Sequence, residues 1–279
     1  MIPRRNLFGL SRNPHSPGHA DDHPLAPACH RLPLPLQPDW QAGWKPYHQF
    51  KGSTPNLLEF ACHASVLIPG HCPHDPHQHA EEEILIMLAG EAELILPRGG
   101  TGVTDGRRIA RPGDFVYYPA FYPHSLRAIG SEPAEYLMFK WTGRGRAGAD
   151  QPLGFLPMAI AWPDAEAPAP GGYLGRGLFE GPTGHLRKLH CHSSRVEPGG
   201  GYPAHIDRHD AVIVMLEGEC ETQGQRIGPG GIVLFIAGEP HGLRNPGNET
   251  ARYLVFEFHG GERPSAWRWP RRLFRRATR

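Results

Sequence analysis

The sequence predicts an all-β protein made of two tandem barrels. Three observations carry that prediction. Glycine (35) and proline (31) are abundant, while apolar residues at helical spacing are scarce; this is how short strands joined by turns read. Three blocks of sequence recur in the same order in the two halves of the 279-residue chain. Each half also holds short apolar runs separated by Gly or Pro at barrel-like intervals, with no helix inside the repeat.

The elements follow in order. Residues 1–46 are rich in Pro and His and read as an extended arm, and the first barrel is expected over 47–142. Within it "ILIMLAGEAELILP" (84–97) reads as two strands joined at Ala89-Gly90. "VIVMLEGECETQG" (212–224) repeats that pattern, with Gly218 in the place of Gly90. "RPGDFVYYPAFYPHSLRAIG" (111–130) matches "GPGGIVLFIAGEPHGLRNPG" (228–247), and twelve residues run from Pro112 to His124 as from Pro229 to His241. "EYLMFKW" (135–141) aligns with "RYLVFEF" (252–258). Residues 143–184, with a Pro/Ala/Gly-rich stretch, read as a linker, 185–262 as the second barrel and 263–279 as a basic tail. The runs Ile84 to Leu88 and Val212 to Leu216 are apolar on both faces. Each therefore needs a second layer, supplied by the other half or by a second subunit. A compact two-barrel unit, assembled as a homodimer, is expected.

Charge and composition bound the function. A net charge of +1 with 20% charged residues excludes a polyanion binder and a disordered chain. No nucleic-acid partner is expected, and the Arg/Trp tail reads as solvated or dimer-clasping. No window approaches the length of a transmembrane helix, and the N-terminus lacks the apolar core of a signal peptide. The cysteines number five, with no pair at CxxC spacing, so a reducing, cytoplasmic setting is expected.

The chemistry concentrates in "HCPHDPHQHAEEEIL" (71–85). His77 and His79 are two apart and share one side of a strand; Glu83, four further on, shares their parity, and Glu82 turns to the other face. His124 arrives on a later strand, after the Pro112-Gly113-Asp114 turn. Three imidazoles and a carboxylate make a mixed site suited to Fe, Mn, Ni, Cu, Co or Zn as divalent ions. His71 and His74 read as loop histidines outside it. Tyr117, Tyr118, Phe121 and Tyr122, leading up to His124, read as core and pocket mouth.

The order Gly70, His77, His79, Glu83, Gly90, then Pro112, Gly113, Asp114 and His124 resembles the two motifs of the cupin superfamily. Two departures show: six rather than five residues separate Gly70 from His77, and Ala128 stands where Asn often follows the last His. With both halves counted, the chain resembles a bicupin. The resemblance implies two double-stranded β-helix (jelly-roll) barrels and one divalent transition metal on His77, His79, Glu83 and His124, iron first among the candidates. Cupins include dioxygenases, isomerases, decarboxylases, hydrolases, lyases and binding proteins, so the motif does not choose a reaction. Iron cupins with this intact set are commonly dioxygenases. A dioxygenase acting on a small oxygen-rich molecule is therefore the leading expectation. The alternatives are a non-redox isomerase, lyase or hydrolase, or a non-catalytic binder.

In the second half five residues separate Gly199 from His205; Asp207 replaces the second His, Ala211 replaces the Glu, and His241 and Asn245 fit the second motif. The lost glutamate points to a metal-free barrel kept for packing. The sharper alternative is a facial triad of His205, Asp207 and His241, with Arg252 gripping 2-oxoglutarate. Asp207 then needs a basic partner or a metal, Arg252 or His209 being the candidates. His190 and His192 read as a strand pair rather than ligands.

Overall fold

The computed structural model describes residues 23–97, 107–145, 151–164 and 171–260; the tail at 263–279 lies outside the described residues. These residues form strands and turns, with no helix among them. A short β1 (Ala28–Arg31) precedes β2 (Trp44–Gly52), β3 (Leu57–Leu67), β4 (Glu82–Ala89), β5 (Glu91–Ile95) and β6 (Arg107–Ala110). β7 (Asp114–Tyr118), β8 (Ser125–Ile129) and β9 (Ala134–Gly143) complete the first half. β10 (Leu156–Ala159) lies in the connection. The second half follows with β11 (Tyr173–Gly181), β12 (Lys188–Val196), β13 (Gly201–Ile206), β14 (Asp210–Glu217) and β15 (Cys220–Thr222). It ends with β16 (Gln225–Ile227), β17 (Gly231–Phe235), β18 (Pro240–Arg244) and β19 (Ala251–His259).

Each half is a barrel of two facing sheets. The larger sheets run β10-β7-β4-β9-β3-β2 and β1-β17-β14-β19-β12-β11; the smaller ones are β6-β5-β8 and β13-β18-β15-β16. The two larger sheets correspond strand for strand, as the repeat requires, whereas β13 adds a fourth strand to the smaller sheet of the second half. Arm and linker do more than tether. β1, from the arm, pairs with β17 of the second barrel, and β10, from the linker, pairs with β7 of the first. Each half thus lends an edge strand to the other, covering an edge that would otherwise be open. The stretch read as linker also contains β11, whose Tyr173 to Gly181 pairs along β12.

The two-faced strands find their second layer inside the chain. Leu85 and Met87 fill the first barrel, while Ile84 and Ile86 of the same strand join a core shared with Val212, Val214, Phe256 and Phe258. In that shared core Phe60 packs on Phe258 at 4.8 Å and Trp141 meets Phe258 edge-on at 5.1 Å. A reciprocal polar clasp frames it. Glu82 accepts hydrogen bonds from Trp141 Nε1 (2.8 Å), Thr183 Oγ1 (2.7 Å) and the His185 amide (3.1 Å). At the equivalent place Asp210 accepts from Thr54 Oγ1 (2.5 Å), the Asn56 amide (3.3 Å) and the Ala237 amide (2.9 Å). Each half's Thr-containing loop therefore caps the other half's buried carboxylate.

Gly90 and Gly218 explain why the repeat keeps glycine there. Both have positive φ (66° and 64°), and an added Cβ would lie 2.3 Å from Pro133 O and 2.5 Å from Thr250 O. No helix among the described residues is long and apolar enough to cross a membrane.

Candidate metal centre

Strand alternation sends neighbouring glutamates to opposite faces. Glu82 goes to the clasp, and Glu83 goes into the first barrel, where it is fully buried. Glu83 Oε1 lies 2.6 Å from His79 Nε2 and 2.5 Å from Lys140 Nζ, and its Oε2 lies 3.2 Å from His124 Nε2. Both imidazoles are oriented from behind. His79 Nδ1 donates to Glu81 O (3.1 Å) and His124 Nδ1 to Tyr122 O (2.7 Å). A carbonyl only accepts, so Nδ1 carries a proton and Nε2 is the atom presented to the centre. Tyr118 stacks on the His124 ring at 4.3 Å and 18°.

The electrostatics agree with a cation site. Burial opposes the charge on Glu83, yet His124, His79 and Lys140 hold its carboxyl well below the usual range. Burial pulls His79 down, but hydrogen bonds to Glu81 and Glu83 prevail and push it up to about 9. A buried carboxylate ringed by two aimed imidazole nitrogens and an ammonium is a place where positive charge is stabilised. The donor set fits a divalent transition ion.

His79, Glu83 and His124 offer ligand atoms all within 4.8 Å of one another. His77 is not in that tight group. Its ring centroid lies 5.3 Å from His79 and 5.4 Å from His124, and it packs edge-on against His74 at 4.2 Å. Its backbone is tied to His124 by paired hydrogen bonds, His77 N to His124 O (3.2 Å) and the reverse (3.0 Å). His77 thus lies at the rim of the centre, its pKa brought down to about 4 by burial and by the neighbouring imidazoles. His74, read from the sequence as a loop histidine, also lines the cavity. Among the aromatics, Tyr117 and Tyr118 are buried, whereas Phe121 is exposed.

The cavity around these groups measures about 380 Å³ in the second barrel and about 130 Å³ in the first. The first is walled by Trp44, Leu85, Leu126, Tyr136 and Met138, with His63 and Lys140 as further polar groups. The sequence reading passed over His63 and Lys140. Alternation from Tyr136 through Met138 places Lys140 on the inner face, in register with Glu83. The tetrapeptides "CHAS" (62–65) and "CHSS" (191–194) stand eight residues before Gly70 and Gly199. That is a fourth repeated block, and it marks His63 and His192 as equivalent inward-facing positions. Burial brings both imidazoles down to about 4.

In the second barrel His205, Asp207 and His241 converge. Asp207 Oδ2 is 3.2 Å from His205 Nε2 and 3.4 Å from His241 Nε2. Its further partner is His209, at 3.6 Å. Arg252 is not brought there: strand alternation turns it away from the cavity-lining Tyr253, Val255 and Glu257, and it is held by Glu217 (2.8 Å) and Asp164 (2.7 Å). A grip on 2-oxoglutarate by Arg252 has no support in this placement. His192, read as one of a strand pair, lines the cavity instead.

Comparison with known proteins agrees with this architecture. The Cupin_2 family (cupin domain) matches residues 65–140 and 192–257, together just over half of the chain. A dimethylsulfoniopropionate lyase, DddQ of Ruegeria pomeroyi, is 39% identical over 62 residues, which are 22% of this chain and 28% of that protein. The matched segment thus spans less than a third of the relative's length. A Pseudomonas aeruginosa protein described as glyoxylate-induced superimposes with a TM-score of 0.61 at 16% identity, over 80% of this chain and 84% of that one. A mutant of Bacillus subtilis oxalate decarboxylase superimposes with a TM-score of 0.56 at 16% identity, over 88% and 80%. Identities this low speak for the fold alone. With two matched regions, two superimposable barrels and a His/Glu centre in the first, the chain belongs to the cupin superfamily and is a bicupin.

Proposed function

We propose that the first barrel is a divalent-metal enzyme centre acting on a small oxygen-rich anion by a non-redox, proton-moving reaction of the lyase or decarboxylase kind. The observation that carries this is Lys140, whose ammonium lies 2.5 Å from Glu83 Oε1 and 3.4 Å from His79 Nε2, within the donor cluster itself. His79, Glu83 and His124 would hold the ion, His77 would close the set from the rim, and the metal would supply Lewis-acid polarisation of a substrate oxygen. The chain's own groups do the rest. Lys140 Nζ offers a positive charge to a substrate carboxylate and a proton to a departing or newly formed carbanion. Tyr118, a phenol whose ionisation burial and Glu83 push upward, is a neutral neighbour of the centre. Leu85, Leu126 and Met138, all buried, form the apolar wall that strengthens each of these interactions. A cavity of about 130 Å³ suits a molecule of few heavy atoms. The short matched segment of the dimethylsulfoniopropionate lyase points the same way.

Dioxygen chemistry is the second reading, favoured by the donor set of imidazoles and one carboxylate, which suits Fe(II) as well as Mn(II). One experiment separates the two. Protein loaded in turn with Mn2+, Fe2+, Co2+, Ni2+ or Zn2+ is incubated with small carboxylates, including oxalate and dimethylsulfoniopropionate, and with enols and catechols. Products are followed by NMR alongside oxygen uptake. Product formation without oxygen consumption, lost in Lys140→Met while bound metal is retained, is expected. Turnover that consumes oxygen and survives Lys140→Met would replace this reading by the dioxygenase.

A further inference from the structure

β12 turns His190, His192 and Ser194 to one face, and its neighbour β11 leaves room for them to meet other groups. Gly175 stands opposite Ser194 and Gly177 opposite His192, so no β11 side chain lies directly across from either. A Cβ on Gly175 would lie 2.9 Å from Tyr173 Oη and 3.7 Å from His192 Cδ2. Glycine there lets the Tyr173 phenol lie along its own strand and reach across to β12. A bulge between Gly177 and Phe179 then brings Glu180, rather than Phe179, opposite His190.

The result is an unbroken line of hydrogen-bonding groups. Tyr173 lines the cavity of the second barrel, and its Oη is 3.4 Å from His192 Nε2 and 3.3 Å from Ser194 Oγ. His192 Nδ1 is 3.2 Å from His190 Nε2, and His190 Nδ1 is 3.1 Å from Glu180 Oε2. Glu180 is exposed, with Lys188 Nζ 3.5 Å from the same oxygen. We infer that Tyr173, His192, His190 and Glu180 form a proton relay from the cavity of the second barrel to solvent, serving a small ligand that gains or loses a proton there.

Donors and acceptors alternate along the line in one consistent way. A carboxylate only accepts, so His190 Nδ1 carries a proton and Nε2 of the neutral ring a lone pair. His192 Nδ1 donates to that lone pair, which leaves His192 Nε2 to accept from the Tyr173 hydroxyl. When an acidic atom in the cavity gives a proton to Tyr173 Oη, the phenol's own proton passes to His192 Nε2. The His192 Nδ1 proton moves to His190 Nε2, and the His190 Nδ1 proton to Glu180, which releases it to water. One proton leaves, no charge stays on the line, and both rings end in the other tautomer. The reverse passage restores them. A ligand that fills the cavity displaces its water, and the line remains as the route.

The surroundings suit neutral carriers. Burial brings His192 down to about 4, although Glu257 Oε1, 4.0 Å from its Nδ1, pulls the other way. Glu257 is itself held by His259 Nε2 (2.8 Å) and His209 Nε2 (3.6 Å), which stand outside the line. Burial pushes the Tyr173 phenol up, so it keeps its proton to pass on, and Tyr202 packs edge-on against it at 5.4 Å.

The barrel does not need this line in order to fold. The first half has the same bulge and register, but Trp44 stands in the place of Tyr173, Pro46 of Gly175, Lys51 of Glu180 and Ala61 of His190. His63 alone matches its counterpart, His192. The line belongs to the second barrel, and it stands whatever the first barrel binds.

Nuclear magnetic resonance of the full chain, isotope-labelled at the histidine nitrogens, tests the links without a substrate. A nitrogen–nitrogen coupling across the hydrogen bond between His192 Nδ1 and His190 Nε2 is expected, with both rings protonated at Nδ1. No coupling, or a His192 ring protonated at Nε2, would overturn the line. Solvent exchange of the His192 ring proton separates a relay from a structural cluster. Glu180→Gln, at an exposed position, still accepts from His190 but cannot take up a proton, so exchange is expected to slow about tenfold or more while the coupling persists. An unchanged rate with the coupling intact would overturn the relay and leave a structural chain. Gly175→Ala is expected to push the Tyr173 hydroxyl away and shift the His192 Nε2 resonance, leaving the link from His190 to Glu180 in place. An unmoved Nε2 resonance would overturn the connection to the cavity.

Discussion

Lys140 and Glu257 occupy equivalent positions in the two halves and carry opposite charge, a difference that follows from the company each keeps. Lys140 faces a buried glutamate in register, and Glu257 faces an alanine across the same ladder while histidines surround it. At this scale the centre in the first barrel is tested by its ligands. His79→Ala and His124→Ala each remove an aimed Nε2 from Glu83, so each is expected to lose stoichiometric metal in the purified protein, measured by elemental analysis. Full metal in both would show that the ion, if any, sits elsewhere. His77→Ala is expected to weaken binding about tenfold without abolishing it, because His77 stands at the rim of the group. Equal loss in all three variants would instead mean that His77 swings in as a full ligand.

Among elements, the two carboxylates of the clasp are the most exposed to substitution, although both are fully buried. Glu82→Ala leaves Trp141 Nε1 and Thr183 Oγ1 without their acceptor, and Asp210→Ala does the same to Thr54 Oγ1 and the Ala237 amide. Stranded buried donors cost roughly 1–3 kcal/mol each, so each substitution is expected to destabilise by about 3 kcal/mol. Because the two clasps lie on opposite sides of one interface, the double variant should lose roughly the sum. Urea unfolding monitored by tryptophan fluorescence measures this. A change below about 0.5 kcal/mol in either single variant would mean that solvent replaces the lost partner. The glutamate beside Glu82 belongs to the proposed metal centre, so Glu82→Ala is also expected to shift metal affinity, whereas Asp210→Ala should leave that centre unchanged.

For the molecule as a whole, the shared core decides what folds alone. Phe60, Phe139, Trp141, Phe256 and Phe258 are all fully buried, and they come from both halves. Either half expressed alone would present that face to water and would also lack the edge strand lent by its partner. Residues 23–145 and 151–260, produced separately, are expected to aggregate or to remain molten, with weak near-ultraviolet dichroism, and to recover native spectra when mixed. Two soluble, independently cooperative halves would contradict this. Since the halves cover each other's two-faced strands, a homodimer needs some other surface. Sedimentation of the full chain at micromolar concentration tests for it directly.

What could be read from the sequence alone had local physical causes. Turn glycines, strand alternation and the repeat specify two all-β barrels, and the parity of Glu82 and Glu83 sorts candidate ligand from clasp because side chains alternate along β4, whereas His77 and His79, read as one face of a strand, lie in the segment before β4. The spacing from Pro112 to His124 brings the last imidazole to the same end of the barrel. What only the tertiary structure decided depends on strands meeting across the sheet. The register of β9 against β4 brings Lys140 onto Glu83, and that of β19 against β14 puts Glu257 opposite Ala211. Neither pairing is written in local periodicity, since the partners lie 57 and 46 residues apart in the chain. The exchange of β1 and β10 between the halves was equally hidden, because an edge strand of four residues (ACHR and LPMA) reads as coil until a free sheet edge offers it hydrogen bonds. Arg252 shows the reverse case. A count of residues placed it near His241, but the alternation of β19 turned it outward to Glu217 and Asp164, where two carboxylates hold a charge that the cavity does not receive.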